Sequence, residues 1–347
     1  MIADLVGMSG DGLRDLVGEW GFKPGQAERL LVGIHRGLVA EFRDIPELNR
    51  GLLAKLDSSY SLALPKIIDW RCGADGTEKW LLGLANGHQV ETVFIPKKDR
   101  GTLCLSSQAG CTLNCSFCHT GTMGFTANLS SSEIVGQALL VRRHLAGQGR
   151  VVTNVVMMGM GEPLYNWPAV RDALKLIGLG LGLVPGSRKI SVSTVGVVPN
   201  IGLVAEELGA NLIISLHATT DEVRNVLVPL NRKYPLASLQ AVARTFPLTG
   251  KRTISWAYML LAGVNDSALD AERLVEWLAR IPSRVNILTF NSWPGTKYRS
   301  SAPQVAEEFR QILHTAGIIT TYRQSRGGDI GAACGQLAGK KNSQKTN

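Results

Sequence analysis

Hydrophobic positions follow two different spacings in the first hundred residues. Apolar residues recur at helical spacing over 13–17 and 26–42, with a turn between them, which predicts a small helical module. From residue 66 onward the pattern becomes extended, in short aromatic and β-branched segments that are separated by Gly-Ala-Asp-Gly and Asn-Gly. These segments predict antiparallel strands that join the module to a larger domain, at 66–70, 79–84 and 90–95.

Beyond residue 100, strand-like and helix-like segments alternate, which is typical of repeated β/α units with a parallel sheet. The predicted strands are 102–107, 153–158, 189–194, 211–216, 253–259 and 285–289, and the predicted helices are 132–145, 168–176, 203–208, 236–245 and 271–279. We therefore expect an α/β fold, a partial (β/α)6 barrel preceded by a small N-terminal helical module and short antiparallel strands. In such a barrel, the residues that follow each strand converge on one face, where sites are normally built.

The same patterns predict the domain boundaries. We expect a helical module over 1–60, connecting antiparallel strands over 61–100 and the barrel over 101–334. The last thirteen residues, 335–347, end in a polar run, and we expect them to form a disordered tail.

Composition indicates in which compartment the protein works. No apolar run approaches the roughly 18 to 20 residues that span a bilayer, and the N-terminus lacks the pattern of a secretory signal. We therefore expect a cytoplasmic protein with no membrane association. Because the cytosol is reducing, the six cysteines are better explained by metal or redox chemistry than by structural disulfides.

Charge is concentrated in the second part of the chain. Residues 91–347 hold 27 Lys and Arg against 16 Asp and Glu, an excess of 11, although the whole chain carries only +9. This excess favours a polyanionic partner, because cationic side chains release counterions from phosphates. A solvated basic surface that aids solubility explains the same count equally well.

The clearest chemical motif is Cys111-Thr-Leu-Asn-Cys115-Ser-Phe-Cys118, directly after the first predicted barrel strand. Three thiolates from one short loop can bind three corners of a [4Fe-4S] cluster and leave the fourth iron open. The alternative is a closed zinc site with His119 or Cys104 as the fourth ligand.

This cysteine spacing resembles that of the radical S-adenosylmethionine (SAM) superfamily. Further runs resemble the RlmN family of RNA methyltransferases, which act on adenine C2, and together they extend over nearly the whole chain. These runs are Cys104-Leu-Ser-Ser-Gln-Ala-Gly-Cys111, Met157-Met-Gly-Met-Gly-Glu-Pro163, Ser191-Val-Ser-Thr-Val-Gly-Val-Val-Pro199, Ile214-Ser-Leu-His-Ala218 and Ala332-Ala-Cys-Gly-Gln-Leu337.

The resemblance implies two cofactors. One [4Fe-4S] cluster per chain would bind to Cys111, Cys115 and Cys118, and two SAM molecules would be consumed per methylation. The implied SAM contacts are Gly161, Glu162, Ser193, Ser215, Leu216, His217 and Asn291. Judged singly, Glu162 fits an ordinary strand-to-helix turn and His217 fits a structural histidine.

The resemblance also implies a route for the methyl group. Cys334 is first methylated by one SAM, and a 5'-deoxyadenosyl radical from a second SAM takes hydrogen from the S-methyl group. The methylene radical adds to adenine C2, Glu91 accepts the C2 proton, and Cys104 resolves the crosslink through a transient disulfide with Cys334. Without the resemblance, each cysteine would be interpreted as a small buried hydrophobe and Glu91 as a solvated strand residue.

The partners implied in this way are 23S ribosomal RNA, transfer RNA and an electron donor such as flavodoxin or ferredoxin. Candidate phosphate contacts are Arg232, Lys233, Arg323 and Arg326, which neighbour the predicted site loops. Two alternatives remain open at this point: methylation at adenine C8, as in the related Cfr enzymes, and a zinc-binding RNA-binding protein without catalysis.

Overall fold

The computed structural model describes residues 3–178, 184 and 186–339, and one ten-stranded sheet runs through it. The strands are β1 (Ala3–Asp4), β2 (Tyr60–Ser61), β3 (Lys66–Cys72), β4 (Glu78–Gly83), β5 (Gln89–Lys97), β6 (Arg100–Leu105), β7 (Gln108–Gly110), β8 (Phe125–Asn128), β9 (Asn154–Met157), β10 (Ile190–Thr194), β11 (Asn211–Ser215), β12 (Ile254–Leu260), β13 (Ser283–Thr289) and β14 (Ile319–Arg323). The helices are α1 (Gly10–Glu19), α2 (Gly25–Val32), α3 (Arg50–Ser59), α4 (His119–Thr122), α5 (Ser131–Ala146), α6 (Trp167–Gly178), α7 (Leu203–Glu206), α8 (Asp221–Leu227), α9 (Leu236–Thr245), α10 (Ala268–Leu278) and α11 (Pro303–Thr315). In this described part of the chain, no helix is long and apolar enough to cross a bilayer.

The N-terminal module contains three helices, of which the sequence predicted two. The predicted helix over 13–17 lies within α1, which Ser9 caps by accepting the N–H of Gly12. The prediction of a helix over 26–42 was wrong in its second half, because α2 ends at Val32 and a π-helical turn ends before Leu38, which takes a left-handed φ of 55°. The unpredicted helix α3 is capped by the side chain of Asn49.

The three predicted antiparallel strands are present as β3, β4 and β5, and they do more than connect the module to the barrel. Strand β5 pairs with β6, from Val93 opposite Cys104 to Lys97 opposite Arg100. The antiparallel strands therefore extend the barrel sheet beyond its first parallel strand.

The parallel part of the sheet runs in the order β6, β9, β10, β11, β12, β13 and β14. All six predicted strands are confirmed, and β14 with its preceding helix α11 adds a seventh strand that the sequence did not predict. Strand β14 has no fully buried residue, because it lies at the edge of the sheet and alternates between exposed and half-buried positions.

The two faces of the parallel sheet differ in chemistry. Since side chains alternate between faces, the register places one row of each strand towards the helices and the other towards the barrel interior. The outer row is apolar and buried, as in Leu103, Val155, Val192, Ile214 and Val285. The inner row is largely polar and half-buried, as in Asn154, Ser191, Asn211, Ser215 and Ser255. The hydrophobic core therefore lies between sheet and helices, and the largely polar rows face the barrel interior.

The end of the described chain packs against the barrel. Leu337 is buried, and the N–H of Ala338 donates to the carboxylate of Glu91 at 2.7 Å. The prediction of a disordered tail from residue 335 was therefore wrong for 335–339, and residues 340–347 lie outside the described residues.

A buried glutamine joins α5 to the end of β6, which leads to a prediction of stability. Gln137 accepts the N–H of Ser106 and donates to the Ser106 carbonyl, both at 3.0 Å. In Gln137→Met both backbone groups lose their partner in a dry site, where an unpaired group costs about 1–3 kcal/mol. We expect urea unfolding to show a loss of about 2 kcal/mol or more. The exposed Gln311→Met on α11 should stay within about 0.5 kcal/mol of wild type, and equal losses in both variants would contradict the assignment.

Candidate active site

The loop between β7 and α4 carries the three predicted cluster cysteines. Gly110 begins this loop at a φ of 74°, and a Cβ there would lie 1.9 Å from the carbonyl oxygen of Gly124. The N–H of Cys111 donates to that same carbonyl at 3.0 Å, and the N–H of Cys118 donates to the carbonyl of Cys115 at 3.1 Å. These backbone bonds fold the segment back on itself and bring the three thiols into one group.

The surroundings of the sulfurs fit an iron-sulfur cluster. Burial raises the pKa of all three thiols, to about 12 for Cys111, and Cys118 and Cys111 raise that of Cys115 further. A bound metal stabilises thiolates, so cluster binding would reverse this protonation. Backbone N–H groups approach the sulfurs, including that of Leu113 at 3.4 Å from the Sγ of Cys111 and that of Gly121 at Cys118. Hydrogen bonds to sulfur tune clusters of this kind.

A single zinc ion fits this loop less well. His119, the proposed fourth ligand, stacks its ring on the indole of Trp293 with the ring centres 4.9 Å apart. Tetrahedral zinc needs all its ligands at about 2.0–2.3 Å from one ion. A cube of four irons instead offers each thiolate its own iron, so the loop favours the cluster.

Two predicted SAM contacts, Gly161 and Glu162, follow β9. Gly161 has a φ of 96°, and a Cβ there would lie 2.5 Å from the Cβ of Gln108, so this backbone requires glycine. The buried Glu162 carboxylate accepts the N–H of Leu164 at 3.1 Å and that of Val195 at 3.0 Å. Burial raises its pKa to about 7, and these hydrogen bonds oppose the rise. Glu162 therefore caps the turn after its own strand and also binds the turn after β10.

His217 lies against the cluster loop. It follows β11 with a φ of 60°, a conformation that is uncommon for any residue other than glycine. Its Nδ1 accepts the N–H of Met259 at 3.0 Å, and burial lowers its pKa to about 3, so the ring is neutral and carries its proton on Nε2. The ring meets that of Phe117 edge-on, with centres 4.7 Å apart.

The other predicted SAM contacts also occupy ends of the parallel strands. Ser193 and Ser215 belong to the inner rows of β10 and β11, Leu216 is fully buried after β11, and Asn291 is half-buried after β13. Arg224, which the sequence analysis missed, is buried and donates to the carbonyls of Ser215 and Leu216 at 3.3 and 3.0 Å. No local pattern marks it, because an arginine on a short amphipathic helix is normally exposed.

The structure brings the two mechanistic cysteines near each other. Cys104 is buried on the inner row of β6, and Cys334 is solvent-exposed, although enough protein surrounds it that burial raises the pKa of its thiol. A charge on Cys334 raises the pKa of Cys104, so the two sulfurs lie within electrostatic range, and both are free thiols. The carbonyl of Gly335 accepts the N–H of His119 at 2.7 Å, which places Cys334 beside the cluster loop.

Glu91 lies on β5, on the same face of the sheet as Cys104. It is buried, so its interpretation as a solvated strand residue was wrong. Its Oε1 lies 3.0 Å from the Nζ of Lys79, and burial raises its pKa while Lys79 opposes the rise. Lys79 was also missed, because a lysine in a short strand gives no sign of being buried.

The four phosphate candidates separate into two kinds. Arg326 forms an ion pair with Asp75 at 2.7 Å and donates to the carbonyl of Pro96, so it holds the chain rather than facing solvent freely. The other three are exposed: Arg232, Lys233 and Arg323. Of these, only Arg323 neighbours Cys334, whose pKa it lowers.

Comparisons with known proteins agree with this geometry. The pattern of the Radical SAM superfamily matches residues 105–277. A dual-specificity RNA methyltransferase RlmN of Magnetococcus marinus is 47% identical over 339 residues, which cover 97% of this chain and 95% of that protein. The protein of the same name from Paracoccus denitrificans is 45% identical over 96% of this chain and 89% of its own length.

Among solved structures, a radical SAM methyltransferase from Sphaerobacter thermophilus superposes with a TM-score of 0.92. It is 36% identical to this chain, and the match covers 98% of this chain and 100% of that one.

The cluster assignment leads to a prediction on metal content. We expect anaerobically purified protein to be brown and to contain about four irons and four sulfides per chain. Cys115→Ala should lose most of both, because the cluster would keep only two of its three thiolates. Cys72→Ala, which removes an exposed free cysteine from β3, should keep them. A colourless wild-type protein loaded with zinc would contradict the cluster.

Proposed function

The chain belongs to the RlmN family of radical SAM RNA methyltransferases, and we propose that it methylates C2 of adenosine in 23S ribosomal RNA and in transfer RNAs. The names of its relatives support RNA as the substrate. The observation that carries the assignment is the arrangement of Cys334: it is exposed, lies beside the cluster loop and is within electrostatic range of the buried Cys104.

The target carbon explains why ordinary methyl transfer is insufficient. Adenine C2 is an electron-poor aromatic carbon, so it cannot attack a sulfonium methyl group as an amine would. When bound, the cluster and SAM would supply one-electron chemistry at this site. Cys111, Cys115 and Cys118 would hold the cluster, and the strand ends around Glu162 and His217 would hold SAM.

We assign the two thiols different roles. Cys334 carries the methyl group, because its exposed sulfur is the one that RNA can reach. Cys104, as a thiolate, attacks the sulfur of Cys334 and breaks the bond from that sulfur to the methylene carbon on RNA; the carbon takes up a proton and becomes the methyl group, and the two sulfurs are left as a disulfide that must then be reduced. Burial raises the pKa of Cys104, so this thiol needs a proton acceptor before it can attack.

Glu91 is assigned as the acceptor of the C2 proton. Burial raises its pKa above the usual value for a carboxyl, which makes it a better base, while Lys79 keeps it from rising further. Lowering the pH through this pKa would protonate the carboxylate and remove the acceptor, so the rate falls on the acid side.

The remaining partners are also proposals. Arg323 would contact an RNA phosphate beside Cys334, in residues 91–347, which carry the excess positive charge. A flavodoxin or ferredoxin would supply electrons, and the protein would work in the cytoplasm without membrane association.

The regiochemistry can be tested by nucleoside analysis. We expect RNA that has been treated with the reduced holoenzyme and SAM to yield 2-methyladenosine after digestion, with separation from its isomers by chromatography and mass spectrometry. RNA treated without a reductant is the control and should stay unmodified. If 8-methyladenosine were the sole product, the C2 assignment would be lost in favour of C8.

The two cysteine roles predict different failures. Cys334→Ala should keep the cluster but give no methylated RNA, because the carrier sulfur is absent. Cys104→Ala should instead leave RNA covalently attached to protein, visible as a shifted band on a denaturing gel. Full activity in either variant, or a crosslink in Cys334→Ala, would contradict the assigned roles.

A further inference from the structure

One buried ion pair touches both ends of the segment that carries Cys334. The Nζ of Lys79 donates to the carbonyl of Gly331 at 3.1 Å, and the Oε2 of Glu91 accepts the N–H of Ala338 at 2.7 Å. We call residues 331–338 the Cys334 loop. Cys334 lies in its middle, three residues after the first of these bonds and four before the second.

The pair is part of the sheet and is shielded from water. The side chains of Lys79 and Glu91 are only 12% and 5% exposed, and their Nζ and Oε1 are 3.0 Å apart. Strand β4 pairs with β5 along its whole length, and the carbonyl of Glu91 also accepts the hydroxyl of Ser106 at 2.5 Å. Burial of an ion pair is costly unless further hydrogen bonds satisfy both charges, and the bonds of Lys79 to Gly331 and of Glu91 to Ala338 provide them.

Other hydrogen bonds hold the middle of the Cys334 loop. The carbonyls of Gly335 and Leu337 accept from the N–H of His119 and the hydroxyl of Thr120, which both lie in α4, directly after the cluster loop. These bonds hold the loop against the segment that carries the cluster cysteines. The two ends, by contrast, are bound to the pair on β4 and β5, on the side of the proposed base.

We propose that Lys79 is a positioning residue, which fixes the Cys334 loop over the barrel interior by binding one end directly and the other through Glu91. This inference deepens the proposed function and rests on it, since it ties the methyl carrier and the proton acceptor to one pair of charges. Each carboxylate oxygen has a second lone pair, so Glu91 can hold Ala338 and still receive a proton.

The arrangement matters because both groups act on the same carbon. The sulfur of Cys334 must reach C2 from one direction while Glu91 takes the proton from that atom. A misplacement of about 1 Å can cost about 100-fold in rate. Because the loop is bound to the pair that includes the base, the anchor limits changes in the distance between carrier and base.

The test compares Lys79→Met with two matched variants of the holoenzyme. Lys79→Arg keeps the charge and the donors, and Arg71→Met removes a neighbouring charge on β3 that makes no hydrogen bond to the Cys334 loop. The readouts are hydrogen exchange over 331–339, the rate at which iodoacetamide alkylates Cys334, and kcat and KM for RNA methylation, all at equal iron content.

In Lys79→Met we expect iodoacetamide to alkylate Cys334 about tenfold faster than in wild type, and the loop amides to exchange about tenfold faster. The kcat should fall, and the KM for RNA should change little. Lys79→Arg should recover most of the difference, and Arg71→Met should match wild type in exchange and alkylation. If Lys79→Met does not fold, the double variant Lys79→Met with Glu91→Gln leaves neither a donor to Gly331 nor an unpaired charge on the two residues, and the same increase in exchange and alkylation is expected in it.

Unchanged alkylation and exchange in Lys79→Met, or an equal increase in Arg71→Met, would overturn the proposal. Exchange and alkylation do not depend on catalysis, so they separate this proposal from the proposed function. A wild-type holoenzyme that methylates no RNA would contradict the proposed function but not the role of Lys79, because exchange and alkylation could still show that the loop is anchored.

Discussion

The whole protein depends on a sheet that is covered by helices on only one face. Burying one large apolar side chain contributes about 1.5–3 kcal/mol, and the outer rows of the strands supply many such side chains. The inner rows contribute less in this way, because most of their side chains are polar and only half-buried. Serines and asparagines line that interior, and they leave it polar and half-accessible. Stability and function are therefore assigned to opposite faces of the same strands.

At the mouth of the barrel, hydrogen bonds between charged side chains and the backbone replace hydrophobic packing. Glu162 connects the turns after β9 and β10, and Arg224 connects the ends of β10 and β11 by donating to the carbonyls of Val195 and Ser215. A buried charge is costly unless it is hydrogen-bonded. Because each of these charges has its partners in neighbouring strand ends, the cost of burial is offset and the loops that would hold SAM are ordered before it binds.

Sequence patterns predicted the features that lie within one short segment and missed the contacts between residues that are distant in the sequence. The cluster loop lies within eight residues, and six parallel strands are apolar enough to be identified from their composition alone. Helix α11 could also have been predicted, since Ala306, Phe309 and Leu313 recur at helical spacing, whereas β14 has no buried residue that would mark it as a strand. Lys79 and Gly331, which it binds, lie 252 positions apart in the sequence, and no local pattern encodes such a contact.

The different environments of the two mechanistic cysteines follow from what each proposed role requires. A carrier must reach RNA and then a second thiol, so it belongs on an exposed loop between two anchors, where Cys334 lies. A resolving thiol that reached RNA or small oxidants would react at the wrong time, so it belongs in the interior, where Cys104 lies on a central strand. If the roles were exchanged, RNA would have to enter the sheet itself. The difference in burial between the two thiols therefore distinguishes the proposed carrier from the proposed resolver.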